Sequence, residues 1–153
     1  MMKKIPLSKN TILGKIDEIQ KDLIKLNNMK ELSIEEFKSG ENFAITEHYL
    51  RRALEALFET GAHILSRIPG KRASGYKDIA ILLGETGIIP ENFAKETLIK
   101  MAGYRNRLVH FYSEISKDEM YEIIQNKLAD FNVFNEHIKI LLSSFEKFDL
   151  TIE

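Results

Sequence analysis

Cysteine is absent from the 153 residues, so disulfides, thiolate metal sites and a cysteine nucleophile are all excluded. Tryptophan is absent too, and proline occurs only three times, which leaves long stretches free of helix breakers. The longest uninterrupted apolar run is Ile79 to Leu83, far too short to cross a bilayer. The opening MMKKIPLSKN carries two lysines but no apolar core of a secretory signal. These absences predict a soluble cytoplasmic protein with no membrane contact. An excess of charge of either sign is missing as well: 22 basic residues face 23 acidic ones, a net charge of −1. There is no global attraction to a polyanion, so any anion-binding surface must be local.

What is present is helical periodicity. From Asn10 or Thr11, Ile12, Ile16, Ile19, Leu23 and Leu26 recur at steps of three and four. The string SIEE at Ser33 has the form of a capping box and predicts a short helix ending near Gly40. A long helix follows from about Glu41 to Arg67, with Phe43, Leu50, Leu54, Leu57, Gly61, Ile64 and Ile68 on one stripe. IPGKRASGYK breaks it, and YKDIAILLGETG reads as a short helix. Pro90 suits the first position of the next helix, which runs to about His110. SKDE at Ser116 is a second capping-box form and opens one last long helix through Phe145, with DLTIE as a loose tail. The expected fold is all-α: an antiparallel up-and-down four-helix bundle with one or two short extra helices. It forms a single domain over residues 1–153, with its core at about 10–147.

The polar residues exclude several chemistries. Ile45, Thr60, Arg107 and Phe134 precede the four histidines by three positions, so no Glu-x-x-His pair of a metal-binding bundle exists. His-Glu-x-x-His and Gly-rich phosphate loops are missing too. No metal or cofactor is expected. Two windows contain bases and no acids: Glu59 to Asp78 encloses Arg67, Lys71, Arg72 and Lys77, and Glu96 to Glu114 encloses Lys100, Arg105, Arg107 and His110. They read either as chance clustering on solvated faces or as a surface that holds RNA through its phosphates.

Within MAGYRNRLVHFY, Arg105 and His110 stand five residues apart, about 140° from each other on an ideal helix. They converge only if the helix ends or distorts, if Arg105 reaches around, or if a second copy of the chain completes the site. Arg107 is better placed beside His110, as a second phosphate contact or a surface residue. His63 reads as a hydrogen-bonded structural residue, with a supporting place in the site as the alternative.

The wider pattern is more specific. Arg105, His110 and Tyr112 match an Arg-x4-His-x-Tyr motif, with Asn106 as the polar residue that often follows the arginine. HYLRRALEALFETGAHILSRI is similar to a long second helix ending in a His-Ile pair, here His63 and Ile64. On these residues the chain resembles the HEPN superfamily and its HepT-like (DUF86) branch, over about residues 10 to 145. It departs at Thr60, where many relatives are expected to carry an acid.

The resemblance implies a metal-independent endoribonuclease, the toxin of a type VII HepT/MntA toxin–antitoxin system. It further implies a homodimer with the motif at the interface. An MntA-like nucleotidyltransferase antitoxin would neutralise it by attaching AMP to Tyr112. The residues can supply that chemistry, because RNA carries its own nucleophile in the 2′-hydroxyl. A histidine can move the protons and an arginine can hold the phosphate. One histidine cannot easily act on both sides of one phosphorus, which also favours a composite site from two chains. The alternative is a non-catalytic helical dimer that binds a nucleotide or a nucleotidyltransferase partner.

Overall fold

The computed structural model describes residues 4–110 and 115–153. Its main helices are α1 (Lys9–Lys30), α3 (Asn42–Leu65), a compound third helix and a bent fourth, joined by the short α2 (Ile34–Lys38) and by α4 (Tyr76–Thr86). The third consists of α5 (Glu91–Phe93), a π turn (Ala94–Leu98) and α6 (Ile99–Val109); the fourth is α7 (Lys117–Asn126) followed by α8 (Ala129–Ser143). This is the expected all-α bundle. Its core is one cluster reaching from Leu7 to Leu150.

α1 and α3 are antiparallel, as their ion pairs show: Lys15 meets Glu59, whereas Asp22, about two turns further on, meets Arg52. The stripes found in the sequence face inward, with Ile12, Ile19, Leu26, Leu57 and Ile64 fully buried. Ser33 forms the full capping box, its hydroxyl accepting from the Glu36 N–H while the Glu36 carboxylate accepts from its own. Ser116 forms only half of one. Its hydroxyl accepts the Glu119 N–H at 3.1 Å, but the Glu119 carboxylate turns to Arg107.

Several boundaries differ from the sequence reading. Ser8, not Asn10 or Thr11, caps α1, accepting from the Thr11 N–H. Pro90 is the residue before the helix rather than its first. The last helix is not continuous: Lys127, at φ −118° and ψ −2°, interrupts it. The stripe hides this bend because Ile124, Leu128 and Phe131 stay on one inward face across it. The tail is also not loose. Leu150 is buried, and Leu7 pairs with Ile152 in an isolated parallel bridge. Its N–H donates to the Thr151 carbonyl at 2.8 Å, and its carbonyl accepts from Glu153 at 3.0 Å. The end of α3 holds this clamp, with Arg67 Nε donating to the Pro6 carbonyl at 3.1 Å and the Ser8 N–H donating to His63 Nε2 at 3.1 Å.

Two predictions follow from this packing. Gly84 lets α4 press on the π turn: a Cβ there would stand 2.8 Å from the Ala94 Cβ, and neither methyl can swing away. Gly84→Ala is expected to lower stability by about 1–3 kcal/mol. Gly14, in the exposed middle of α1, would meet nothing, so Gly14→Ala is expected to gain up to about 1 kcal/mol. Denaturant midpoints compare the two.

The second concerns pH. Burial, and then the nearby Arg67 charge, push the His63 imidazole below its ordinary value near 6.5, consistent with a neutral ring whose Nε2 accepts a hydrogen bond. Below about pH 6.5 the unfolded chain takes up a proton that the folded ring resists, so stability falls as the pH is lowered through that region. His63→Gln, which keeps an acceptor and cannot titrate, is expected to lose that part of the pH slope of the melting temperature between 7 and 5. An unchanged slope contradicts the assignment.

Candidate active site

Met101 and Ala102 anchor α6 in the core. Arg105 lies one helical turn after Met101 and so emerges at the border of the buried face, with its side chain 27% exposed. Its guanidinium carbon sits 4.2 Å from the centre of the Tyr76 ring. That ring opens α4 and is stacked on Phe58 of α3, with centroids 5.0 Å apart and planes 19° from parallel. Three helices thus build one cation–aromatic stack. Burial pushes the Tyr76 hydroxyl above its ordinary value, and the Arg105 charge partly offsets this.

Among the described residues, the carboxylate paired with Arg105 is held back. Glu55 Oε1 is 3.9 Å from Arg105 Nε and 4.0 Å from Arg51, both longer than a hydrogen bond. Arg105 Nε is a buried donor without a hydrogen-bond partner among the described residues. Arg107 has the opposite arrangement. Both its terminal nitrogens reach the Glu119 carboxylate, at 2.6 and 2.8 Å, in a two-pronged pair. Of the two arginines on α6, Arg107 has its fork filled by a carboxylate and Arg105 is carried by a ring.

His110 is the residue at which the chain leaves the helix. It has extended dihedrals, φ −111° and ψ 99°, and is exposed. The angle expected for an ideal helix therefore does not bind its side chain. Asn106 is half-buried on α6. Tyr112 lies outside the described residues. His63 supports the chain termini through Ser8. Thr60, where an acid was expected, is a core residue whose hydroxyl donates to the Ala56 carbonyl at 2.8 Å.

The fold brings the two acid-free windows together, since Tyr76 belongs to the first and Arg105 to the second. Not all their cations are equally available. Arg67 holds Pro6 and Lys71 pairs with Glu85 at 3.1 Å, whereas Arg72, Lys77 and Lys100 are exposed and make no ion pair among the described residues. Tyr76, Phe58 and Glu55 were not found by reading the sequence. In the sequence Tyr76 closes a Gly-containing break and opens a short helix, and nothing in its neighbours announces a contact with residue 105. Among the described residues, no group of three or more histidines and carboxylates is placed to hold a metal. No described helix is long and apolar enough to cross a membrane.

Comparison with known proteins gives this arrangement a family. The model of the ribonuclease HepT-like family matches residues 11–138. A protein named tRNA nuclease HepT from Aphanizomenon flos-aquae (strain 2012/KM1/D3) is 26% identical over 134 residues, which are 87% of this chain and 90% of that one. One named mRNA nuclease HepT from Shewanella oneidensis is 31% identical over 90 residues, 59% of this chain and 67% of that one. Among solved structures, a tri-AMPylated Shewanella oneidensis HEPN toxin in complex with an MNT antitoxin superposes with a TM-score of 0.79 at 26% identity, covering 86% of this chain and 98% of that one. The chain belongs to the HepT-like ribonuclease family of the HEPN superfamily.

Proposed function

We infer that this protein is a metal-independent endoribonuclease and the toxin of a toxin–antitoxin pair. One observation supports this most: Arg105 is held at the surface by an aromatic ring instead of a hydrogen-bonded carboxylate, five residues before an exposed His110 at the end of the same helix. With Glu55 at 3.9 Å and no carboxylate at hydrogen-bond distance among the described residues, the guanidinium has its Nε donor left to offer a phosphate.

In the proposed reaction the RNA 2′-oxygen attacks the adjacent phosphorus, and the bond from phosphorus to the 5′-oxygen breaks. The products are a 2′,3′-cyclic phosphate and a 5′-hydroxyl. Arg105 binds the phosphate oxygens and favours the extra charge of the five-coordinate transition state. His110 takes the proton from the nucleophile or gives one to the leaving oxygen. These two atoms lie on opposite sides of the phosphorus, so one imidazole cannot serve both in place. A homodimer with a composite site supplies the second. Asn106 stands beside Arg105 as a supporting contact. Arg107, tied to Glu119, serves chiefly to fix the start of α7 against α6.

The partner in this reading is a nucleotidyltransferase antitoxin. The Shewanella HEPN toxin is tri-AMPylated in complex with its MNT antitoxin. By analogy Tyr112, two residues beyond His110, is the modified residue here. Its phenol oxygen would attack the α-phosphorus of ATP with loss of pyrophosphate. The attached phosphate would add negative charge to the motif whose arginine must bind RNA.

Expression of the native chain is expected to arrest growth, and purified protein to leave cyclic phosphate ends on RNA in the presence of a chelator. His110→Ala and Arg105→Ala are each expected to reduce cleavage by about 100-fold or more and to relieve the arrest. Cleavage equal to the native level in His110→Ala would sink the catalytic assignment and leave the binding-only dimer. For the antitoxin arm, coexpression with a nucleotidyltransferase of the MNT type should add AMP mass to the peptide containing Tyr112, and Tyr112→Phe should remain unmodified and toxic.

A further inference from the structure

Between α3 and α4 the chain makes an irregular excursion, turned by Pro69 and by Gly70 at φ +78°. Beneath it lies a cleft of about 660 Å³. Ala62, Leu65 and Ile79 give it an apolar floor, Tyr76 forms one wall, and Lys71 and Arg72 lie along its rim. The wall is shared with the candidate active site, because the same tyrosine ring carries Arg105 at 4.2 Å. The cleft is therefore bounded by the ring on which Arg105 rests, although Arg105 itself does not line it.

Its charge has one sign. No acid occurs in the sequence between Glu59 and Asp78. Asp78 is already engaged, accepting from the Ser74 N–H at 2.8 Å and the Ser74 hydroxyl at 3.2 Å. Glu85 is paired with Lys71, and Arg72 is exposed without an ion pair among the described residues. A cavity of this size, apolar below and cationic at the rim, suits a flat base with a phosphate attached. Bases are presented this way only when they are unstacked, which points to single-stranded RNA.

We propose that this cleft is a nucleotide subsite of the enzyme: it receives the nucleotide flanking the scissile phosphate in single-stranded RNA, its base on the apolar floor and its backbone phosphate on Arg72. The proposal rests on the ribonuclease reading and extends it from cleavage to substrate choice. A segment that is base-paired, or whose flanking base is too large or held elsewhere, would miss the subsite although Arg105 could still touch its backbone.

The test uses the full-length protein and a twelve-nucleotide, mixed-sequence RNA with 2′-O-methyl groups, which cannot be cleaved. Binding is followed by fluorescence anisotropy. Ala62 is exposed on α3, so Ala62→Leu fills the cleft from outside the core with only a small loss of helix propensity. It is expected to weaken binding by at least about fivefold. Arg72→Ala is expected to weaken it similarly and to make the salt dependence shallower by about 0.7 in log–log slope, the signature of one lost single-strand phosphate contact. Melting curves establish that both variants are folded, and if Ala62→Leu is not, Arg72→Ala alone decides. Native affinity in the folded variants overturns the subsite. If the native protein binds this RNA but does not cut its 2′-hydroxyl counterpart, the ribonuclease reading fails while the variants still decide the cleft. If it neither binds nor cuts, both ideas fall.

Discussion

The contact on which the candidate site depends is a cation resting on a ring. Such a contact contributes about 0.5–1 kcal/mol when exposed and about 2 when water is largely excluded. A two-pronged carboxylate would hold an arginine at least as well, and the same helix provides the comparison in Arg107 and Glu119. The difference is electrical. A carboxylate at hydrogen-bond distance cancels most of the positive field and occupies the donors, whereas an aromatic ring attracts the cation without neutralising it. Glu55, 3.9 Å away, is near enough to bias the orientation of Arg105 and too far to satisfy its Nε. A buried donor left without a partner, as Arg105 Nε is among the described residues, is unfavourable in a folded protein, by about 1–3 kcal/mol where water cannot reach it. Its retention here is intelligible if an anion completes the group.

The fold around this contact is arranged to hold the ring. Phe58 comes from α3, Tyr76 from the first residue of α4, and Arg105 from α6. Their meeting needs the helices to lie closer than ordinary side chains allow. Gly61 provides that between α3 and α4, where a Cβ would come within 2.7 Å of Ile79, and Gly84 provides it between α4 and the π turn. The π turn lies just upstream of the motif, and one additional residue in a turn rotates everything after it by about 100°. The direction in which Arg105 leaves α6 is therefore set several residues before the motif begins.

This explains which features were legible in the sequence. Inward stripes depend on local spacing, and Ile12 through Leu26 or Leu50 through Ile64 could be read directly. The motif residues could be read too, since they lie within one short string. Contacts between distant segments could not. Tyr76 has no local mark of its role, the clamp between Leu7 and Ile152 joins opposite ends of the chain, and Ser116 was given a full capping box because nothing local says that Glu119 has a cross-helix partner in Arg107. Lys127 bends the last helix without disturbing its inward face, so periodicity passes over it. Local order reveals periodic burial, while the electrostatics of a site come from pairs that only the fold brings together.

The composition of a single chain also bears on how the site would act. Within one copy, the stack would account for phosphate binding in the proposed reaction, and the end of α6 at Val109 removes the angular relation that an unbroken helix would impose on His110. It still offers one imidazole for a displacement that needs a proton removed on one side and delivered on the other. His63 is not available as the second, because its Nε2 is occupied by the Ser8 N–H and its partly buried ring resists a proton. His48 and His137 lie on α3 and α8 with no motif residues beside them in sequence. A second His110 from another copy is the remaining source within the same protein, and His110, exposed and at a helix end, is suited to face one. In this account dimerisation would be part of the proton inventory of the reaction, and AMP attached to Tyr112 would add negative charge to a motif whose arginine has to bind a phosphate.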